Sequence, residues 1–219
     1  MKFKDVKTLF FDYDGTLHNS MAIYEPAFLK AYQYLLDNDY VKPYPWTSVE
    51  ISRFLGQTPK DMWDKFGKDL PETIKAKASQ MISLEMARLI KDNQAILYDG
   101  ALETLQILKD RGYQLVFISN CKQYYLDAHT DAFNLGKLFD LMVCSETFDV
   151  EEKHLVLANI IKDFPKDYVI IGDRYHDMDA GNYNQIYKIG CRYGFGDAEE
   201  LADADVIIDD INALRTLFN

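Results

Sequence analysis

One short apolar segment near the start of the chain constrains the fold more than any other feature. Thr8-Leu9-Phe10-Phe11 runs into Asp12-Tyr13-Asp14-Gly15-Thr16, where the acidic residues and the glycine mark a turn. It reads as a buried strand feeding a loop. Residues 20–93, which follow, carry apolar side chains at helical spacing, and no strand of comparable strength interrupts them. A single strand is not stable outside a sheet, so this one must pair with strands far along the chain.

Those partners are legible after residue 100, where helix and strand alternate. A helix near 101–110 precedes Leu115-Val116-Phe117-Ile118, and one near 123–133 precedes Leu141-Met142-Val143-Cys144. Another near 153–162 precedes Val169-Ile170-Ile171, followed by Tyr187-Lys188-Ile189 and Val206-Ile207-Ile208. Such alternation predicts an α/β fold, a doubly wound and mainly parallel sheet covered by helices. The expected organisation is a core formed by residues 1–19 and 94–219, with 20–93 inserted as a helical domain. Within the insertion, Ala27, Ala31, Tyr34 and Leu35, then Ile74, Ala78, Met81, Ile82, Glu85 and Leu89, suggest four helices. Their breaks fall near Pro43 and Pro45, at Gly56, and over 67–71.

Composition narrows the partners. Lys and Arg number 24 against 35 Asp and Glu, for a formal charge of −11, and no basic run tracks a phosphate backbone, so long nucleic acid is excluded as a partner. A small anionic substrate is not, because a site needs only local positive groups. Three cysteines, widely spaced, make neither a disulfide framework nor a cysteine-rich zinc site. No segment is apolar enough for a signal peptide or a membrane span, so a cytoplasmic monomer or homodimer without membrane attachment is expected.

Ligands of open α/β sheets bind beyond the carboxyl ends of the strands. Three such ends carry chemistry: Asp12-Tyr13-Asp14, Ser119-Asn120, and Gly172-Asp173 followed by Asp177. An isolated Asp-x-Asp-Gly could be only a turn. Several carboxylates converging on one sheet edge would repel one another, and a bound divalent cation would resolve the repulsion. All-oxygen ligands suit Mg²⁺ better than zinc.

Phe11-Asp12-Tyr13-Asp14-Gly15-Thr16-Leu17, Ile118-Ser119-Asn120, Lys153, and Gly172-Asp173-Arg174-Tyr175-His176-Asp177 together resemble the four successive motifs of the haloacid dehalogenase-like hydrolases. The order and intervals fit over essentially the whole chain, and the insertion lies where a type-1 helical cap occurs. The branch most resembled is that of the phosphoglycolate phosphatases. The resemblance implies a Mg²⁺-dependent phosphatase acting on a small phosphorylated metabolite, with Asp12 as nucleophile forming an aspartyl-phosphate. It further implies that the cation is held by Asp12, the main-chain carbonyl of Asp14, Asp173 and Asp177, the last directly or through water.

Asp14 would be the general acid and base, Ser119 and the Asn120 amide would cradle phosphate oxygens, and Lys153 would supply fixed positive charge. Lys122 is an alternative source of that charge. Gly56, in a turn between insertion helices, resembles the family's substrate-specificity loop, and Tyr24, Trp46 and Trp63 are candidates to face substrate. The four histidines lack paired metal-ligand spacing and are read as polar or supporting residues. The chain departs from the family pattern at His154, Asp99 and Asn184-Gln185, none of which touches the proposed chemistry. A phosphosugar mutase of the β-phosphoglucomutase kind shares the first step, but usually has Asp-Gly-Val where this chain has Asp14-Gly15-Thr16. A dehalogenase would not need Asp14. A catalytically idle binding or regulatory protein of the same fold would be signalled by loss of Asp12 or Asp173, and both are present.

Overall fold

The computed structural model describes residues 3–55, 59–148 and 152–219. The chain divides into two compact units, one of Met1–Asn19 with Leu97–Asn219 and the other of Ser20–Ile96.

The first unit is built on a six-stranded, all-parallel sheet of β1 (Thr8–Phe11), β2 (Gln114–Ser119), β3 (Leu141–Cys144), β4 (Tyr168–Gly172), β5 (Tyr187–Cys191) and β6 (Val206–Ile208), in the order β3-β2-β1-β4-β5-β6. The lone strand of the sequence is therefore central. Parallel strands require crossovers, and helices numbered in chain order from the insertion onward supply them on both faces. They are α5 (Ala101–Asp110), α6 (Gln123–Phe133), α7 (Lys153–Ile160) and α8 (Tyr175–Asn184); the connection from β5 to β6 runs through turns, and the short α9 (Leu214–Leu217) follows β6. Covered on both sides, the middle strands carry unbroken apolar runs: Leu9, Phe10 and Phe11 of β1 and Val169, Ile170 and Ile171 of β4 have no solvent exposure. Phe10 packs with Val116, Ile118, Val143, Val156, Leu157, Ile160, Ile170 and Ala180 in one core cluster.

Helix α8 is an element that periodicity misses. Its sequence, Tyr-His-Asp-Met-Asp-Ala-Gly-Asn-Tyr-Asn, is polar and poor in helix formers. Two tertiary facts hold it: Asp177 caps it by accepting from the Arg174 N–H at 3.0 Å, and Gly181 lets it approach the sheet. A Cβ at Gly181 would come within 2.2 Å of Lys188 Cγ and 3.1 Å of Ile170 Cγ2.

The second unit is helical, with α1 (Met21–Asp37), α2 (Ser48–Ser52), α3 (Pro59–Phe66) and α4 (Glu72–Lys91). Ile23, Tyr24, Ala27, Phe28, Ala31, Tyr32 and Leu35 make one face of α1, and Ala78, Ile82, Glu85, Leu89 and Ile90 one face of α4. The two helices pack on each other. Glu85, the polar break in the α4 pattern, is buried yet paired, with Lys30 Nζ at 2.5 Å and Arg88 Nη2 at 2.7 Å. No helix among the described residues is long and apolar enough to cross a membrane.

Truncating the centre of the sheet core should be costly in a way that surface truncation is not. Phe10→Ala is expected to lose about 3–5 kcal/mol, and Leu84→Ala, at a position 63% exposed, under about 0.5 kcal/mol. Urea unfolding followed by fluorescence measures both.

Candidate active site

Register decides where the polar strand ends meet. Phe11 lies opposite Phe117 of β2 and Ile171 of β4, and the Asp12 N–H donates to the Ile171 carbonyl at 2.9 Å. The residues just beyond β1, β2 and β4 thus emerge at one edge of the sheet, where the strand order reverses and α/β folds bind ligands. Beyond β1 the chain turns tightly: the Tyr13 carbonyl accepts from the N–H groups of Thr16, Leu17 and His18. Gly15 has φ +83°, and a Cβ on it would lie 2.1 Å from Asp173 Oδ2. Glycine is required there by conformation and by space alike.

A second approach to Asp173 comes from the loop after β5. A Cβ at Gly194 would sit 2.3 Å from Asp173 Cβ, and one at Gly196 would sit 1.9 Å from the Asp173 carbonyl oxygen. Between them, the Phe195 N–H donates to Asp173 Oδ2 at 2.6 Å. The turn after β1 and the loop after β5 therefore clasp one carboxylate.

Among the described residues, Asp12, Asp173 and Asp177 form a group whose carboxylate oxygens lie within 4.8 Å of one another, all buried. Lys153, the first residue of α7, reaches in between: its Nζ donates to Asp12 Oδ1 at 2.5 Å and to Asp177 Oδ1 at 2.6 Å. Thr16 Oγ1 donates to Asp12 Oδ2 at 3.3 Å. Asp173 Oδ1 is buried and has no hydrogen-bond partner. A buried acceptor left orphaned beside two further carboxylates is a donor set that fits a hard divalent cation.

The electrostatics agree with that fit. Burial raises the Asp12 carboxyl from an ordinary 3.8 to about 7, Lys153 opposing the rise and Asp177 adding to it. Burial, then Asp12 and Asp177, push Asp173 well up. Burial alone would push the Lys153 ammonium down, but the neighbouring Asp12 and Asp177 outweigh it and hold Lys153 charged.

The remaining expected residues divide. Ser119 ends β2, is buried, and accepts through Oγ from the Cys121 N–H at 3.2 Å. Asn120 is exposed, and its carbonyl accepts from Ser145 Oγ at 3.2 Å. Asp14 does not join the three carboxylates through its side chain. Its Oδ1 accepts from Tyr125 Oη at 2.8 Å and lies 3.0 Å from His18 Nδ1, so a share in a metal site would fall to its main-chain carbonyl. Lys122 is exposed beside Glu146 at 3.2 Å. Gly56 lies outside the described residues.

Of the aromatic side chains expected to face substrate, Tyr24 and Trp63 are buried within the helical unit and Trp46 is half-buried there. Tyr24 donates to Met62 Sδ at 3.4 Å and Trp63 Nε1 donates to Ser79 Oγ at 2.9 Å, both from buried positions. Trp46 packs edge-on against Phe28, with ring centroids 5.3 Å apart. A cluster of aromatic residues is the cheapest core for a small helical unit, which is why aromatic type alone misleads here.

Sequence reasoning missed the Tyr193-to-Gly196 segment, Tyr125, and the particular place of His18. The Gly194-Phe195-Gly196 spacing is the one local signal that could have marked the first. Nothing local marks Tyr125, which reaches Asp14 from 111 residues away.

Residues 9–190 match the family model described as haloacid dehalogenase-like hydrolase. The chain belongs to that family of hydrolases. It is 26% identical over 185 residues to the pyrophosphatase PpaX of Bacillus pumilus, covering 80% of this chain and 78% of the relative. It is 24% identical over 215 residues to the phosphoglycolate phosphatase of Colwellia psychrerythraea, covering 92% and 91%. A solved structure described as a predicted phosphoglycolate phosphatase from Haemophilus somnus 129PT superposes with a TM-score of 0.83 at 22% identity, covering 97% of this chain and 98% of the other.

Carboxyls raised on folding bind protons more tightly in the folded than in the unfolded state. The stability they contribute is complete below pH 3.8 and is lost as pH rises through about 7 for Asp12. In EDTA the melting temperature is therefore expected to fall between about pH 5 and about pH 8, and a divalent cation, which competes with those protons, should raise it more at the higher pH. Thermal scans with and without Mg²⁺ measure this; an equal shift at both pH values contradicts the coupling.

Proposed function

We propose that the protein is a Mg²⁺-dependent phosphatase that hydrolyses a small-molecule phosphate monoester through an aspartyl-phosphate on Asp12. The observation that carries this reading is the buried group of Asp12, Asp173 and Asp177 bridged by Lys153 at the switch point of the sheet. The names of its relatives support the same chemistry, since a phosphoglycolate phosphatase and a pyrophosphatase both cleave a phosphorus–oxygen bond.

Mg²⁺ held by Asp12, Asp173 and Asp177, with the Asp14 carbonyl, would supply positive charge against the phosphate oxygens and keep Asp12 ionised at neutral pH. Lys153 adds a second positive charge fixed beside Asp12. Ser119 Oγ and the Asn120 N–H are the donors assigned to the remaining phosphate oxygens. A carboxylate oxygen of Asp12 attacks phosphorus, the ester bond breaks, and the leaving oxygen takes its electron pair together with a proton from the Asp14 carboxyl. Asp14, now a carboxylate, takes a proton from water as the water oxygen attacks phosphorus. The bond to Asp12 breaks, and its electron pair restores the Asp12 carboxylate.

The helical unit is assigned as the type-1 cap and the expected location is the cytoplasm. Pyrophosphate is a second substrate class, favoured by the similarity to PpaX; a panel of phosphate monoesters set beside pyrophosphate separates the two.

Asp12→Asn should remove turnover of every substrate, because an amide neither attacks phosphorus nor balances the cation. Asp14→Asn should release nearly one equivalent of p-nitrophenolate per site in a burst and then turn over slowly, since that leaving group departs without a proton while the second step lacks its base. Rapid-mixing absorbance and mapping of the trapped phosphate test this; appreciable turnover by Asp12→Asn defeats the reading. EDTA should abolish activity, and Mg²⁺ should restore it better than Ca²⁺, whose larger and more irregular shell lets a carboxylate bind through both oxygens. Full activity after thorough metal removal defeats the cation assignment.

A further inference from the structure

Asp14 is gripped from within the sheet unit by side chains to which the reaction above gives no part. Tyr125, buried on α6, donates its hydroxyl to Asp14 Oδ1 at 2.8 Å. His18, with no solvent exposure, brings Nδ1 to 3.0 Å from the same oxygen and 3.2 Å from the Tyr125 hydroxyl. A carboxylate oxygen only accepts, so the tautomer that satisfies this triangle carries its proton on His18 Nδ1.

His18 is itself immobilised. Its carbonyl accepts from the Gly15 N–H at 2.9 Å and its N–H donates to the Tyr13 carbonyl at 2.9 Å, which ties it into the turn that presents Asp14. Its ring stacks on Tyr13, centroids 5.2 Å apart and planes 13° apart, and meets the His129 ring at 4.5 Å. His129 in turn lies 2.6 Å through Nδ1 from the Tyr13 hydroxyl, and 4.2 Å ring to ring from Tyr125, one helical turn away on α6.

Burying two imidazoles and two phenols is costlier than burying leucine and phenylalanine of like volume unless their polar atoms gain directed bonds. Here two of those bonds converge on one oxygen of one carboxyl. An oxygen that accepts two donors is not the one that carries the carboxyl proton.

We propose that Tyr125 and His18 are positioning residues for the acid–base step: by holding Asp14 Oδ1 as a double acceptor they make Oδ2 the oxygen that gives the proton to the leaving group and later takes one from water. This rests on the reading of Asp14 as the general acid and base. Tyr125 and His18 exchange no proton with substrate, and the atoms and electrons balance as in the two steps already described.

The experiment is a leaving-group series in single turnover with Mg²⁺ and enzyme in excess, using p-nitrophenyl phosphate, phenyl phosphate and glycerol phosphate. Wild type is compared with Tyr125→Phe, His18→Asn, His18→Leu and Asp14→Asn. Tyr125→Phe keeps the ring and its packing and removes one hydroxyl; His18→Asn keeps an N–H donor near the place of Nδ1, whereas His18→Leu removes it.

Release of p-nitrophenolate should stay within about twofold of wild type in Tyr125→Phe, while release from glycerol phosphate should slow by about tenfold or more. The dependence of rate on leaving-group basicity then steepens toward that of Asp14→Asn. His18→Leu should steepen it too, and His18→Asn should restore most of the wild-type slope. If Asp14→Asn steepens the slope while Tyr125→Phe and His18→Leu keep the wild-type slope, or slow every substrate equally, the positioning role is wrong and the acid assignment stands. If Asp14→Asn itself leaves the slope unchanged, the acid assignment falls and the positioning role with it.

Discussion

The contact on which the rest of the site depends is Lys153 held between Asp12 and Asp177, at 2.5 Å and 2.6 Å, with almost no access to water. Three carboxylates within 4.8 Å of one another repel by about 3–4 kcal/mol per ionised pair at an effective dielectric of about 20. One ammonium offsets part of that. Burial first, and the repulsion left over second, raises the Asp12 and Asp173 carboxyls, so both hold protons more tightly than a free carboxyl does. A group so arranged costs stability rather than adding to it, and its donor set fits a hard divalent cation.

The scaffold that holds this group is correspondingly close-fitted. Asp173 is enclosed by Gly15, Gly194 and Gly196, and Asp177 by Gly172, whose Cβ would lie 2.0 Å from Asp177 Cγ. Any side chain at these four positions would collide with a carboxylate or its backbone, so the glycines are set by the acids they admit. The acids, for their part, hold local structure: Asp177 caps α8, and Asp173 anchors the loop after β5 through the Phe195 N–H. Removing either would disturb backbone as well as charge.

Asp12 and Asp14 stand two residues apart and meet different surroundings. Asp12 faces Lys153, Thr16 and the other acids. Asp14 turns to Tyr125 and His18. A continued strand would put residues two apart on one face, but β1 ends at Phe11 and the Tyr13 carbonyl, by accepting from Thr16, Leu17 and His18, turns the chain so that the two carboxyls meet different settings. One is built for charge and the other for orientation.

The sequence by itself determined the sheet, because its apolar strand segments admit pairing only across long separations, and it marked Asp12, Ser119, Asp173 and Asp177 because strand ends of a parallel sheet converge. Four helices in the insertion were likewise readable from spacing. Helix α8 was not, since its polar residues follow no period and only the Asp177 cap and the Gly181 approach hold it. Only the tertiary structure decided that Lys153 is buried and Lys122 exposed, that Tyr24 and Trp63 are core, and that Tyr125 reaches Asp14. Residue type and neighbours along the chain carry periodicity and turn chemistry; burial and contact across 111 or 141 positions arise when helices dock on the sheet.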